Sequence, residues 1–391
     1  MWVGQRRAAW TAISARRPRL LFFIAADWFF CSHFLDRAVE AREQGFDVFV
    51  LTKVRDHADR ITGSGLELVP IEIGRGASNP AAELNALRSV VRSYRSVRPD
   101  IVHHIALKPI VFGTVAARLG GIRRIVNAPV GMGFVFSSGS LRARVLRPAV
   151  RAALRLLLNP AGSRVVFENR DDLREAVTDG LVSAPDAVLI RGAGVDLDRF
   201  RPAPEAAGKP VVVLVARMLR EKGIEDFVEA ARILHHRRVG ARFLIAGAPD
   251  PGNPGTISEP ALRRWNEEGI VEWIGQRDDV EAVLAGAHVA CLPSYYREGL
   301  PKSLLEALAA GLPIVTTDVP GCRETVLVGE NGMLVPPRDP ERLAEALARL
   351  IGDADMRARF GARSRQLAEA EFGTARVSEA TLTLYRGLLE P

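Results

Sequence analysis

Short apolar runs alternate with amphipathic stretches along the whole chain. A short apolar run predicts a buried strand, whereas apolar positions three and four residues apart predict a helix with one buried face. In the first half, the predicted strands are Leu20–Ala26, Val48–Leu51, Ile101–His103, Arg124–Asn127 and Arg164–Phe167. The helices predicted between them are Ser32–Gln44, Ala81–Val97 and Pro109–Leu119.

The second half repeats this scheme. Its predicted strands are Val211–Ala216, Ala241–Ala246, Ile270–Ile274, Val289–Leu292 and Pro313–Thr317. Its predicted helices are Glu225–His235, Val280–Leu284, Lys302–Ala310 and Pro340–Ile351. Strands that alternate with helices imply parallel sheets covered by helices on both faces, so the predicted fold class is α/β.

A polar stretch without periodicity, residues 201–210, separates the two halves. Its Pro, Ala and Gly content and its position directly before a new strand predict a linker. The predicted domains are a basic extension at 1–19, a Rossmann-like domain at 20–200 and a second at 211–391, whose last helix can pack back on the first. Two such doubly wound domains are expected to face each other across a cleft that binds ligands at the carboxyl ends of the strands.

The composition is that of a folded protein with two full-sized domains. Of 391 residues, 48% are hydrophobic and 25% are charged, which excludes a disordered chain. The apolar runs are shorter than the ~18–20 residues that span a bilayer, so no transmembrane helix is expected. The cysteines, Cys31, Cys291 and Cys322, have no CxxC spacing, which argues against a disulfide framework or a zinc site. We therefore expect a reducing, cytoplasmic environment.

Arginines precede the apolar run Leu20–Ala26, in the order of a secretory signal. That run is short, and Asp27 and Trp28 follow it without a small-residue cleavage site. A buried first strand behind a basic extension is the better interpretation.

The positive charge is concentrated in the first half. Residues 1–200 hold 29 Lys and Arg against 19 Asp and Glu, although the whole chain has a formal net charge of only +7. Within Ser137–Phe167 there are six arginines and no acidic residue. This asymmetry indicates an anionic partner, such as a membrane surface, a phosphate-bearing substrate or nucleic acid. Because no helix-turn-helix, zinc finger or RNP-like motif is present, nucleic acid is not expected.

The segment Pro293–Pro313 contains the most informative pair of acidic residues. It enters a predicted helix with Pro301 in the first turn, where the missing N–H costs nothing. Gly299 allows close approach of a ligand, and the helix N-terminus favours an anion such as a diphosphate. Glu298 and Glu306 are separated by seven residues, and a carboxylate accepts paired hydrogen bonds from vicinal hydroxyls.

Either glutamate alone would be interpreted as an ordinary exposed acid, since most glutamates lie at the surface. Glu306, however, lies in an otherwise apolar stretch, where a carboxylate needs a partner. As a pair within this segment, Glu298 and Glu306 favour a site for a polyhydroxylated ligand.

A second candidate segment follows the predicted strand Val211–Ala216. Arg217 lies at the strand end, and Lys222 and Gly223 lie at the start of the next predicted helix. Arginine offers a planar fork and lysine a mobile point charge, a suitable pair for two adjacent phosphates. The alternative is a set of ordinary basic loop residues, as is expected of Arg220.

Together these two segments resemble a known enzyme family. Arg217-x4-Lys222-Gly223 followed by Glu298-x7-Glu306 is similar to the retaining glycosyltransferases of GT-B architecture that carry an E-x7-E motif, the glycosyltransferase family 4-like group. The resemblance implies a GT-B fold of two Rossmann-like domains.

The resemblance extends over nearly the whole chain, from Asp27 to Glu341, with the more specific motifs in the second half. His103–Pro109 and Gly131–Gly133 are similar to bacterial members that extend lipid-linked saccharides with UDP-sugars, often UDP-N-acetylhexosamines.

The resemblance also implies a role for each residue. Arg217 and Lys222 would act in catalysis by neutralising the donor diphosphate and the departing UDP. Glu306 would accept the ribose hydroxyls, and the catalytic Glu298 would accept those of the donor sugar. The donor site would be completed by Gly247, Gly275, Arg277, Gly299, Leu300 and Pro301. Arginine and lysine would take the place of a cation, so neither a metal nor another cofactor is expected.

One departure from the family pattern concerns histidine. Relatives often carry a histidine after the strand corresponding to Arg124–Asn127, and this chain has none there. His103 matches a common strand-end histidine and is the candidate catalytic histidine, although such residues are more often structural. Lys108 is a candidate phosphate contact. Asp27 is a candidate acceptor-orienting carboxylate or base, or else the cap of the next helix.

The acceptor side is predicted from the arginine-rich stretch Leu141–Leu158, which has the pattern of a basic amphipathic helix broken at Pro148. Because its charges have one sign, it favours peripheral binding to an anionic membrane that holds a polyprenyl-diphosphate saccharide. Met1–Arg19 offers a second surface contact. The alternative is a packed helix with a solvated arginine face.

The sequence thus predicts a cytoplasmic enzyme on the inner face of the cell membrane. It would transfer a hexose or N-acetylhexosamine from UDP to a lipid-linked saccharide with retention of configuration, in polysaccharide or glycan biosynthesis. Two alternatives stay open, a retaining transferase with a soluble acceptor and a non-catalytic partner subunit of another transferase. The presence of Arg217, Lys222, Glu298 and Glu306 argues against the second.

Overall fold

The computed structural model of the chain describes residues 16–74, 79–130 and 152–390. They form two compact units, the first running to Ala193 and including the chain from Ala375 onward, the second being Gly194–Thr374. The stretch 201–210 lies inside the second unit. Each unit contains one parallel sheet with helices, which confirms the predicted fold class.

The sheet of the first unit has seven parallel strands. They are β1 (Arg19–Ile24), β2 (Asp47–Thr52), β3 (Glu67–Pro70), β4 (Ile101–Ile105), β5 (Ile125–Ala128), β6 (Arg164–Phe167) and β7 (Ala187–Leu189). Their order is β3-β2-β1-β4-β5-β6-β7. Leu20 and Phe22 of β1 lie in one hydrophobic cluster, and Leu21 and Phe23 lie in another. Both faces of the sheet are therefore buried, as a parallel sheet requires.

The apolar runs predict five of these strands but neither β3 nor β7. Both are edge strands whose residues are partly or fully exposed. Their runs are also short, at four and three residues, so they do not stand out from the flanking loops.

The described helices before Ala193 are short except for two. They are α1 (Asp27–His33), α2 (Leu35–Glu43), α3 (Ala58–Gly63), α4 (Pro80–Val97), α5 (Leu107–Leu119) and α6 (Arg170–Thr178), and residues 152–157 are also helical. The prediction of one helix over Ser32–Gln44 is wrong. Two helices form there, because Phe34 has φ −129° and interrupts the helical backbone.

The sheet of the second unit has six parallel strands. They are β8 (Val211–Val215), β9 (Arg242–Ala246), β10 (Glu272–Trp273), β11 (Val289–Leu292), β12 (Ile314–Thr317) and β13 (Gly332–Val335). Their order is β10-β9-β8-β11-β12-β13. The sequence predicts all of them except β13, a half-exposed edge strand.

Helices follow in the order α7 (Ile224–His236), α8 (Glu259–Glu267), α9 (Val280–Ala285), α10 (Lys302–Ala309), α11 (Pro340–Gly352), α12 (Ala354–Leu367) and α13 (Thr374–Leu389). The last of them, α13, packs in the first unit. Its Val377, Leu382 and Tyr385 are buried in the same cluster as Phe22.

Several sequence expectations fall outside the described residues. They are residues 1–15 of the basic extension, Gly131–Gly133 and residues 141–151 of the arginine-rich stretch. In the described ranges, none of the helices combines the length and the apolar character needed to cross a membrane.

Candidate active site

The loops that follow β8 and β11 meet, because these strands are neighbours in the sheet. Helix α10 begins directly after Pro301, at the end of the second loop, residues 293–301. Tyr295 and Tyr296 donate their backbone N–H groups to the Glu221 carbonyl oxygen at 3.0 and 3.2 Å. These bonds tie the β11 loop to the β8 loop.

Lys222 and Glu298 form an ion pair between the two loops. Lys222 Nζ donates to Glu298 Oε1 at 2.5 Å, and the Ser294 hydroxyl donates to the same oxygen at 2.8 Å. Glu298 is only 7% exposed. A buried carboxylate needs such partners, and a charged donor makes the stronger bond. The pair is therefore held in one orientation beside the start of α10.

Two glycines determine how closely the loops approach. Gly223 has φ +73°, and a Cβ there would lie 2.0 Å from the Pro293 carbonyl oxygen. Gly321 has φ +81°, and a Cβ there would lie 2.6 Å from the Gly299 carbonyl oxygen of the β11 loop. Only glycine fits such positions, so the Lys-Gly sequence presents the lysine on a turn in direct contact with the β11 loop.

Glu306 lies on α10, with its side chain 13% exposed. Burial raises its pKa above the usual range, and this effect outweighs the nearby positive charges of Lys302 and Arg199. Lys302 Nζ lies 3.8 Å from Glu306 Oε1, and Arg199 is itself bound to Glu281 at 2.7 Å. A carboxyl group with a perturbed pKa is more typical of a binding or catalytic site than of a surface acid.

Arg217 follows β8 and pairs with Asp250 at 2.6 Å, with its own side chain 44% exposed. Close to it, Gly247 has φ +144°, and a Cβ there would lie 1.8 Å from the Ala216 carbonyl oxygen. Gly247 donates its N–H to the Gly275 carbonyl oxygen at 2.7 Å. The structure thus brings Gly247 and Gly275 together where β9 and β10 end.

Other predicted residues have partners of their own. Arg277 forms a bidentate pair with Asp279 at 2.8 and 2.6 Å. Lys108 donates to Glu83 at 2.9 Å in the first unit. The Leu300 side chain is buried in a hydrophobic cluster, so only the backbone of Leu300 can contact a bound donor substrate.

His103 lies in the first unit and is 1% exposed. The strand-end interpretation is wrong, because β4 continues past it to Ile105. His103 Nδ1 is hydrogen-bonded to the Tyr385 hydroxyl at 2.6 Å. Burial, with the charge of Arg37 and the neighbouring His104, holds its pKa well below the usual range. This contact fixes the last helix, and a catalytic role for His103 stays a prediction.

Asp27 is the first residue of α1 and is fully buried. Its carboxylate accepts the backbone N–H groups of Trp28, Arg55 and His57 at 2.8, 2.6 and 3.1 Å. Burial alone would raise its pKa, but these hydrogen bonds outweigh burial and lower it. The cap of α1 is Ala26, so the structure shows Asp27 as an anchor for the loop after β2.

Two side-chain contacts are missed by the sequence analysis. Ser294 is one, and its only signal is a small hydroxyl residue close to a strand end. Arg338 is the other: its guanidinium carbon lies 4.2 Å from the centre of the Tyr295 ring, and its φ is +59°. No local pattern could reveal this contact, because it joins the loops after β11 and β13.

Comparison with known families gives two matches along the chain. The family described as "Glycosyl transferase 4-like" matches residues 19–163, and the family "Glycosyl transferases group 1" matches residues 209–353. Together the two matches span most of both units.

One curated relative is the N,N'-diacetylbacillosaminyl-diphospho-undecaprenol alpha-1,3-N-acetylgalactosaminyltransferase of Campylobacter jejuni. It is 26% identical over 339 residues, which is 83% of this chain and 87% of that enzyme. Another is a putative colanic acid biosynthesis glycosyltransferase of Escherichia coli, 32% identical over 52% of each chain.

Solved structures show the same fold. Sucrose-phosphate synthase from Thermosynechococcus elongatus has a TM-score of 0.77 at 22% identity, covering 95% of this chain and 99% of its own. Anabaena HepE, solved in complex with UDP and glucose, has a TM-score of 0.76 at 18% identity and covers 94% of this chain and 99% of its own. The chain therefore combines a glycosyltransferase 4-like first domain with a group 1 glycosyltransferase second domain, and it has the GT-B fold.

Proposed function

We propose that the chain transfers a sugar from a UDP-sugar to a lipid-linked saccharide with retention of configuration. The observation that carries this proposal is the buried Lys222–Glu298 pair, held by the β8 and β11 loops next to the start of α10. A cation and a carboxylate fixed side by side suit a donor that joins a diphosphate to a sugar.

The diphosphate of the donor would bind Lys222, Arg217 and the N-terminal end of α10. When the bond between sugar and diphosphate breaks, negative charge develops on the departing UDP, and positive groups already in place lower the barrier. Arg217 is 44% exposed, so its guanidinium can reach a phosphate beside its pair with Asp250.

The hydroxyl groups of the donor would bind the two glutamates. Glu306 would accept the ribose hydroxyls, and burial makes its charged form dependent on such donors. Glu298, which Lys222 and Ser294 hold in place, would accept hydroxyls of the sugar. A sugar held in this way is open to attack from the face of the leaving group, which retains the configuration.

In this proposal the donor site needs no metal ion. Lys222 and Arg217 supply the positive charge that a bound cation would otherwise provide.

The acceptor in this proposal is a saccharide on a polyprenyl diphosphate, and the enzyme works at the inner face of the cell membrane. The name of the Campylobacter jejuni relative supports this choice, since that enzyme acts on a diphospho-undecaprenol saccharide. The concentration of arginines in the first half of the chain also supports an anionic surface.

The test is a transfer assay with the purified full chain, a panel of UDP-hexoses and UDP-N-acetylhexosamines, and an undecaprenyl-diphosphate saccharide in lipid. We expect transfer from one donor, a product anomer of retained configuration by NMR, and undiminished turnover in EDTA. Glu298→Gln should lower turnover far more than UDP affinity. An inverted product would contradict the mechanism, and full activity on a free saccharide without lipid would establish the soluble acceptor instead.

A further inference from the structure

An open depression of about 820 Å³ lies in the first unit, at the amino-terminal ends of β4 and β5. This is the end of the sheet opposite to the carboxyl-terminal edge, where Asp27 lies. Four arginines from two loops and one helix line the depression: Arg95, Arg98, Arg123 and Arg124.

Its single lining acid is already neutralised. Asp100 accepts from Arg16 at 2.8 and 2.9 Å and from the backbone N–H of Arg19 at 2.7 Å. Arg124 donates from Nε to the Leu388 carbonyl oxygen at 2.7 Å, so part of its guanidinium stays available.

The other three arginines carry charge without a partner. Arg95, Arg98 and Arg123 are exposed, and within the described ranges their guanidinium groups make no hydrogen bond and no ion pair. The carboxyl end of α4 favours the cations Arg95 and Arg98 through the helix dipole. Arg123 lies in the loop between α5 and β5, and Gly120, the cap of α5, also lines the depression.

The backbone also indicates a reason for these side chains. Arg98 is the cap of α4 in a left-handed conformation, with φ +50°, a position that favours glycine. Across the depression, Gly121 has φ +72° and open space at its Cβ position. Arg98 thus lines the depression from a backbone conformation that is strained for a non-glycine residue.

We propose that this depression binds a phosphate group, carried by an anionic lipid headgroup or by a soluble phosphoester. Arginine forks match phosphate oxygens in bidentate geometry, and like charges facing one concave surface are relieved by an anion. Leu119, 63% exposed beside the lining residue Gly120, gives the site an apolar margin that fits a lipid surface. This site goes beyond the proposed sugar transfer and does not depend on it.

The test uses the full chain and two probes, neither of which reports on sugar transfer. One probe is vesicles of phosphatidylglycerol in phosphatidylcholine, with phosphatidylcholine alone as reference, measured by co-sedimentation. The other is inorganic pyrophosphate, measured by calorimetry with excess UDP present, so that the proposed donor site for a diphosphate is already occupied. The variant is Arg95→Gln/Arg98→Gln/Arg123→Gln, and the matched control is Arg60→Gln/Arg174→Gln/Arg376→Gln, which removes the same charge from exposed arginines of the same unit.

We expect the wild type to bind, and the depression variant to bind ten- to a hundredfold more weakly, while the control changes less than threefold. Loss of vesicle binding alone identifies a lipid headgroup as the source of the phosphate, and loss of pyrophosphate binding identifies a soluble ligand. Wild-type affinity in the depression variant, equal losses in variant and control, or no binding of either probe by the wild type would overturn the proposal. Thermal unfolding and the single variant Arg123→Gln, which removes no described contact, separate lost binding from lost folding.

Discussion

Lys222 and Glu298 depend on each other for stability, because both side chains are largely buried. Replacing Lys222 by Met leaves a buried carboxylate without its cation, so we expect the free energy of unfolding to fall by about 3 kcal/mol. Adding Glu298→Gln removes the unpaired charge and should restore most of that loss. A double-mutant cycle in urea measures the coupling.

The matched control is the pair Arg263–Glu259, which has the same 2.5 Å separation but exposed side chains. A double-mutant cycle on Arg263 and Glu259 should show no measurable coupling free energy, because water screens an exposed ion pair. Additive effects of the Lys222 and Glu298 substitutions would contradict the description of this pair as a buried unit.

Glu306 should link stability, pH and nucleotide affinity. Burial raises its pKa in the folded state, so its charged form weakens the fold at neutral pH, and this penalty disappears as the pH falls through that pKa. Glu306→Gln should therefore raise the unfolding temperature at neutral pH and lower the affinity for UDP. In the wild type, UDP affinity should fall as the pH is lowered. The fall should be larger than in Glu306→Gln, where only the protonation of UDP itself contributes.

Thermal unfolding and calorimetric titration over a pH series measure both effects. Glu267→Gln, on the exposed surface of α8, is the control and should change neither. A Glu306→Gln variant that binds UDP like the wild type would remove this residue from the donor site.

For individual residues, the sequence reveals which charged residues are candidates but few of the residues that they contact. Glu298 and Lys222 are visible because acidic and basic residues stand at predicted strand ends. Ser294 and Arg199 are not, because a contact between distant segments leaves no local periodicity. His103 shows the opposite failure, since a strand-end pattern there belongs to a residue packed against the last helix.

Among the elements, the turn before α7 sets the position of Lys222. Gly223→Ala would place a Cβ against the Pro293 carbonyl oxygen in a backbone with φ +73°. We expect it to lower the free energy of unfolding by about 3 kcal/mol, from left-handed strain and overpacking together. UDP affinity should fall with it, because the turn that presents the lysine must move.

Gly269→Ala is the control in the same unit, since its φ is +71° and no atom lies within 4 Å of its Cβ position. It should cost only the strain, about 1 kcal/mol. Equal costs at the two positions in chemical denaturation would show that the loop contact at Gly223 contributes nothing.

The elements predicted correctly are those with a strong apolar pattern. The interior strands are buried, whereas the missed edge strands β3, β7 and β13 are short and partly exposed. The edge strand β10 is also partly exposed, but it lies within the longer apolar run Ile270–Ile274 and is predicted. Helix α8 was also missed, because only Leu262 and Trp265 of its nine residues are buried. Apolar periodicity arises where side chains are buried, so a strand or helix that buries few side chains leaves little pattern in the sequence.

For the whole molecule, the last helix should stabilise the first unit and not the second. Tyr385 of α13 is fully buried and bonded to His103, and Leu382 lies in the same core. A chain that ends at Thr374 should therefore lose hydrogen-exchange protection in β1 and β4 while β8 and β11 keep theirs. A chain ending at Leu389 is the control, and unchanged protection of β1 in the shorter chain would contradict this assignment.

The division into units follows contacts that composition does not report. The Pro-rich stretch 201–210 has the composition of a linker, but Glu205 pairs with Arg357 and Ala206 accepts a hydrogen bond from His288. These long-range contacts hold the stretch within the second unit. The alternation of strands and helices was enough for the fold class, because it depends only on local periodicity.

Calorimetric titration of the full chain would decide whether the second unit binds a UDP-sugar without a metal ion. UDP, GDP and a panel of UDP-sugars would be titrated with and without EDTA. We expect UDP and one UDP-sugar to bind with dissociation constants on the order of micromolar, unchanged by EDTA, and GDP to bind more weakly. No nucleotide binding at all would rule out the donor site and favour a non-catalytic partner subunit, whereas binding abolished by EDTA would be incompatible with the role of Lys222 and Arg217.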